Sequence, residues 1–389
     1  AKDFVDLVVE NIDLIKHNNI KIITNAGGAN PIACAKAIKS NIKDSESIKI
    51  AVIQGDDIYE KLESYIDDID TFENIDTNES FHLIRSKVTS ANVYIDSFCV
   101  KDALSLGADI VLCGRVTDPG LTLGPMLHEF NWLKNDFNKL ASGTLAGHII
   151  ECGAQCTGGN FSGWENVDNY DNIGYPIVNM HSSGDFYISK PENSGGLLNK
   201  YTVIEQILYE MGNPKMYLSP DVVVDFTSFS IIEKDNFVHI KNVRGSKPTK
   251  TYKVSLSYEN GYKASGQLTL TGPNVYDKAI KTSEIIWKRL ENYGVFFDNK
   301  KTEFLGYSSC HKDVIPTPQN TNEIVLKLSV KDKDIDKIKS FSKEIAPVIT
   351  NGPSGITGFS GGRPKPQNIV AYWPALISKD KIQTSIKVI

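Results

Sequence analysis

The stretch 108–120, ADIVLCGRVTDPG, decides how this chain folds. Residues 108–113 form a short apolar run, GRVTDPG (114–120) is a small polar loop, and LTLGPMLHEFNW (121–132) carries helical spacing. The same order occurs twice upstream. Ile20–Thr24 leads into NAGGAN (25–30) and then PIACAKAIKS, opened by Pro31. Proline suits a first helical turn, where its missing N–H would have had no partner. IKIAVIQ (48–54) leads into GDD (55–57) and a further predicted helix. Strand, loop and helix alternating at this spacing specify parallel strands joined by crossover helices.

Ligands in such sheets bind beyond the carboxyl ends of the strands. The three loops are therefore expected to face one cleft, with Asn25, Gly27, Gly28, Asn30, Asp56, Arg115 and Asp118 as substrate-binding candidates. The same glycines also suit ordinary tight turns. No GxGxxG follows these strands and no GxxxxGK[ST] occurs, so no nucleotide cofactor is identified.

Beyond about residue 160 the pattern changes. Residues 222–271 alternate in the manner of antiparallel strands, with Asn260-Gly261 read as a hairpin turn. Helical segments are expected at 276–292 and 332–345, with a strand at 323–330 between them. The fold class is α/β: an N-terminal parallel sheet with crossover helices (1–165), then a mixed α+β unit with antiparallel strands (166–389). A chain of 389 residues exceeds the usual span of one domain, which agrees with two units.

The net charge of −5 supplies no basic footprint for nucleic acid. Six cysteines in so long a chain are no disulfide framework. No apolar run approaches the ~18 residues of a membrane span, and no signal peptide is visible. The expectation is a reduced, soluble, cytoplasmic protein acting on a small molecule.

A second motif is GHIIECGAQCTGGNFSG (147–163). On one helix, His148, Cys152 and Cys156 would share a face, with Glu151 and Gln155 beside them. Four readings remain open: a Cys nucleophile paired with His or Glu, a metal site, acid–base or substrate contact by Glu151 or His148, or an ordinary buried face. His148, Glu151 and Cys156 are the catalytic candidates. Gly158 and Gly159 allow close approach of a ligand or simply end the helix. The Cys310-His311 pair would complete a metal site only if the fold brought it near. In GPSGITGFSGGRPKP (352–366), Arg363 is the candidate to grip a carboxylate or phosphate.

Five blocks carry a resemblance: TSANVYIDSF (89–98), GADIVLCGRVTDPGLTLGPMLHEFNW (107–132), LASGTLAGHIIECGAQCTGGNF (140–161), KPENSGG (190–196) and GITGFSGGRPKPQNIVAYWP (355–374). In order and spacing the chain resembles the core domain of the acyclic terpene utilisation family, the AtuA-like proteins. The resemblance implies a place in the breakdown of citronellol- and geraniol-type isoprenoids, through branched acyl-CoA thioesters. The implied activity is lyase- or hydratase-like, on a branched carboxylate or its CoA thioester, with CoA entering only as part of the substrate. The alternatives are a non-catalytic binding or scaffold subunit and a metal-dependent hydrolase. Relatives open with a GxxGFxGDR strand–loop that this sequence does not contain; if that loop contributes to the cleft, the expectation is a cleft that is incomplete, rebuilt, or completed by a segment beyond this sequence. Some relatives also carry a small ferredoxin-like domain, expected here as a separate subunit or dispensable. A homo-oligomer is expected.

Overall fold

The computed structural model describes residues 2–42, 48–66, 71–235, 237–307, 309–311, 314, 321–358 and 362–389. The chain is a mixed α/β protein that forms two compact units, one of 1–83, 90–256 and 374–389, the other of 84–89 and 257–373.

The first unit holds the predicted parallel strands. Ile22–Thr24 and Ile50–Gln54 both pair in parallel with the central strand Ile110–Cys113. Ile50–Ile53 and Ile110–Cys113 are fully buried, as expected of parallel strands covered on both faces. Ile50, Val52, Ile110 and Leu112 pack with Ala35 and Ile38 of the helix Pro31–Asn41 and with Val5 and Val8 of the helix Lys2–Glu10. The C-terminal strand Ser385–Val388 adds antiparallel to Ile50–Gln54. Periodicity did not announce that edge strand. The helix expected after GDD is instead a 3-10 turn, Tyr59–Tyr65, and the chain returns to the sheet through the helix Phe98–Ser105.

A second core in this unit surrounds the helix Phe137–Ile150. Every residue from Leu140 to Ile149 is buried, so the helix is apolar nearly all round. Its polar members are satisfied: Ser142 donates to the Gly184 carbonyl and Thr144 to that of Leu140. An antiparallel sheet covers it, in the order Ile177–Met180, Phe186–Ser189, Phe237–Lys241, Ser230–Lys234. Residues 166–256 thus fold with the parallel sheet in one compact unit, and the break in compactness does not fall at 165/166. The reason is this helix, whose apolar circumference is buried only when the later strands cover it.

The second unit is built on an antiparallel sheet in the order Asn299–Leu305, Glu323–Asp332, the 257–271 part of the strand Thr251–Thr271, Ile356–Thr357. Gln367–Ser378 and Val88–Val93 also pair with that long strand. The amphipathic helices Val275–Asn292 and Ile335–Glu344 share its core, built on Leu268, Leu270, Leu326, Ile286 and Phe341. Asn260-Gly261 makes no hairpin, because Thr251–Thr271 is one continuous strand. Gly261 sits at φ +82°, and a Cβ there would lie 2.8 Å from the Asp332 carbonyl oxygen. The glycine bends a long strand rather than reversing it.

Acidic residues are buried in the first unit. Asp221 Oδ1 accepts from the Ser97 backbone N–H (3.0 Å) and hydroxyl (2.6 Å), while its Oδ2 has no hydrogen-bond partner. The Tyr252 hydroxyl donates to Asp96 (2.5 Å), and Lys379 donates to the Pro220 carbonyl (2.6 Å). Burial, then the charge of Asp96, pushes the Asp221 carboxyl up to about 7. The folded chain therefore binds more protons here than the unfolded chain, and stability from this group falls as pH rises from about 4 to about 7. Asp221→Asn keeps the Ser97 bonds and removes the titration. Its melting temperature is expected to drop less than wild type between about pH 5 and pH 8, as checked by calorimetry. An equal drop in both proteins counts against this assignment.

Candidate active site

The first and second loops both meet the third, the first through Asn25 and the second through Asp56. This residue is 5% exposed. Its Oδ2 accepts from the Arg115 backbone N–H (2.7 Å) and from Asn92 Nδ2 (3.1 Å). Its Oδ1 lies where a Cβ on Gly114 would stand, which is why that position holds no side chain. Asp56 therefore ties the second loop to the third and is not presented to a ligand. In the first loop, the Asn30 carboxamide caps the following helix by accepting from Ala33 N–H (3.0 Å). Gly27 holds the turn at φ +76°, and Gly28 lies against the carbonyls of Asn25 and Cys113. Three of the four first-loop candidates thus build the turn.

The outward-facing groups are Asn25, Arg115 and Asp118. Asn25 Nδ2 donates to Asp118 Oδ1, and Arg115 donates to Asp118 Oδ2, both at 3.4 Å. The guanidinium lies 4.5 Å from the Tyr94 ring centre and also donates to its hydroxyl (3.3 Å). Side-chain exposures of 35% for Arg115 and 46% for Asp118 leave this pair open to a ligand.

The His–Cys motif is not one helix. The α-helix ends at Ile150, Gly153 turns at φ +59°, and a 3-10 turn covers Gly153–Thr157. Only His148 and Glu151 keep the helical offset, with His148 Nδ1 3.0 Å from Glu151 Oε1. Cys156 points into the apolar core, fully buried, and burial pushes its thiol up to about 12. Cys152 is partly exposed; burial raises its thiol, and the charges of Glu151, Glu210 and Asp118 raise it further. Neither thiol is a thiolate at neutral pH, so Cys156 is withdrawn as a nucleophile. Gly158 (φ +108°) packs on Val167 and Leu197, and Gly159 closes against the Ala154 carbonyl. These glycines shape the chain.

His148 and Glu151 form an acid–base pair with one proton between them. His148 Nε2 lies 3.2 Å from the Ile207 carbonyl oxygen, which can only accept, so Nε2 carries a hydrogen. In the neutral ring Nδ1 is then an acceptor, and a proton must sit on Glu151 or on Nδ1 to join the two. Burial raises the Glu151 carboxyl, His148 opposes this, and the charges of Asp118 and Glu210 add to it. The imidazole is fixed between Tyr217 (5.7 Å) and Phe226 (5.6 Å), which stack on each other at 4.9 Å. Gln206 also donates to the His148 carbonyl (2.8 Å).

Two residues escaped the sequence reading. Tyr217 lies in the field of Glu151, Asp118 and Glu210; burial first, then those charges, hold its hydroxyl protonated far above the usual phenol range. Gly147 joins the two halves of the site, since a Cβ there would stand 2.6 Å from the Pro119 carbonyl oxygen and 2.7 Å from its Cα. Nothing in MYL or LAGH marks either role. A hollow of about 540 Å³ opens beside the first loop, walled by Val5, Ala33, Cys34 and Ala37. Gly27 and Asn30 of the first loop line it, with Lys2 and Asp6 of the first helix.

Arg363 is exposed and belongs to the second unit, as do Cys310 and His311. Residues 359–361 lie outside the described residues. Among the described residues, no group of three or more His, Cys, Asp or Glu is arranged to hold a metal ion. The donor set of the metal-hydrolase reading is therefore not assembled there. No described helix is long and apolar enough to cross a membrane.

Gly147→Val should drive its side chain into the Pro119 backbone and destabilise the fold by about 1–3 kcal/mol. Chemical denaturation checks this, and unchanged stability would sink the close-contact assignment.

No curated protein and no solved structure matches the chain significantly. A family profile described as acyclic terpene utilisation family protein AtuA matches residues 1–388, and the chain belongs to that family.

Proposed function

We propose that this protein is an enzyme of isoprenoid breakdown that moves a proton next to the carbonyl of a branched carboxylate or its CoA thioester, in a hydratase- or lyase-type reaction. The observation that carries this reading is the one-proton His148–Glu151 pair beside Asp118 and Tyr217. A partly buried carboxyl raised above its ordinary value, backed by an oriented imidazole, suits general acid–base work. Family membership supplies the metabolic setting.

In the hydration direction the shared proton sits on His148 Nδ1, and the Glu151 carboxylate takes a further proton from water as the water oxygen bonds to the β-carbon. The same proton then passes from Glu151 to the α-carbon, so one group serves as base and then as acid. His148 holds Glu151 in place and stabilises it in whichever state it carries. Tyr217, a protonated hydroxyl without a hydrogen-bond partner among the described residues, donates to the carbonyl oxygen where negative charge develops. Arg115 offers the positive charge for a carboxylate. No resident cofactor is needed for this scheme. The scaffold alternative is separated from it by the experiment, since a scaffold binds without exchanging protons.

Incubation with branched acyl-CoA and 2-enoyl-CoA thioesters in D₂O should place deuterium at the α-carbon. Glu151→Gln should slow this by about 10²-fold or more, and Tyr217→Phe by about 10²–10³-fold with little change in KM. Because the Glu151 carboxyl is raised, the acid limb of the pH–rate profile should lie above the ordinary carboxylate range and vanish in Glu151→Gln. Wild-type exchange in Glu151→Gln removes the pair from the chemistry. Ligand-induced stabilisation with no exchange in the wild type favours the scaffold.

A further inference from the structure

A pocket of about 230 Å³ in the first unit stands apart from the acid–base pair. Its polar side is made by Tyr94, Thr117, Ser219, Thr251 and Lys253. Its apolar side is made by Ile75, Leu218, Pro220 and Leu376. The volume is below the ~300–1,000 Å³ that takes drug-sized ligands. It is room for roughly seven or eight waters at ~30 Å³ each.

The pocket is built rather than incidental. Thr117 is 9% exposed, and its methyl points to Gly120, where a Cβ would lie 2.7 Å away. Thr117 lines the pocket, and its Oγ1 has no hydrogen-bond partner among the described residues. Ser219 is 4% exposed, and its Oγ accepts from the Asp221 N–H (3.3 Å), which leaves its own hydrogen to donate. Lys253 Nζ lies 5.6 Å from the Tyr94 ring centre, and the Arg115 guanidinium lies 4.5 Å from the same ring. Two hydroxyl donors, two nearby positive charges and an aliphatic wall describe the two ends of one ligand class.

We infer that this pocket is a second binding site, for a small monocarboxylate with a short hydrocarbon tail. The carboxylate takes hydrogen bonds from Thr117, Ser219 and Lys253, and the tail lies against Ile75, Leu218 and Leu376. The site is distinct from the acid–base pair: neighbouring residues in an extended strand face opposite sides, so Leu218 lines the pocket while Tyr217 packs on His148. The two are joined through one loop, since Thr117 precedes Asp118, and through Tyr94, which holds Arg115.

Titration calorimetry of the whole protein with 3-methylbutanoate tests the assignment, with 3-methylbutan-1-ol as the uncharged probe. The expected result is saturable binding of the acid at one site, at least tenfold weaker binding of the alcohol, and retained acid binding in Glu151→Gln. Thr117→Val, a near-isosteric change, and Lys253→Met should each weaken the acid at least tenfold; circular dichroism confirms their folding. Absence of acid binding overturns the site. So does an acid affinity unchanged in both pocket variants, or one lost only in Glu151→Gln. Failure of deuterium exchange would leave this result standing, so the two readings fall separately.

Discussion

The site depends on one buried carboxylate. Asp56 ends the second parallel strand and accepts from the Arg115 backbone N–H and from Asn92, while its other oxygen lies on the bare Cα of Gly114. A charge this buried is tolerable only when its lone pairs are met by donors. The donors available are the turn after the central strand and the strand beside it. Satisfying Asp56 therefore sets the third loop and, with it, the positions of Arg115 and Asp118. Removing either partner would leave a buried group unmet, which is costly in a way that losing a surface pair is not.

The other half of the site comes from a helix that owes its place to burial. The segment Leu140–Ile149 has almost no polar side to offer water, so strands from far along the chain enclose it. Gly147 lets its last turn touch Pro119. That contact brings His148 and Glu151 to the loop Asp56 has set. Burial then sets the protonation of the site: it raises the Glu151 carboxyl and holds the Tyr217 hydroxyl protonated. The same burial silences Cys156.

Family membership and site geometry speak to different levels. Membership places the chain in acyclic terpene utilisation. The proton pair, the half-exposed Arg115–Asp118 couple and the amphipathic pocket speak to chemistry and to ligand class, and they do so through residues rather than through kinship.

The sequence by itself determined the parallel strands, because β-branched runs, polar turns and helical spacing are local signals read within some twenty residues. It also determined that Asp56, Arg115 and Asp118 belong near one another, since loops after parallel strands share an end of the sheet. Only tertiary structure decided their roles. Asn30 became a cap, Gly28 and Gly159 became packing positions, and Cys156 entered the core because the helix stopped at Ile150. Tyr217, the edge strand Ser385–Val388 and the continuous strand through Asn260-Gly261 were equally beyond local reading. Each depends on contacts between residues far apart in the chain, and protonation follows from who is buried beside whom, which no spacing encodes.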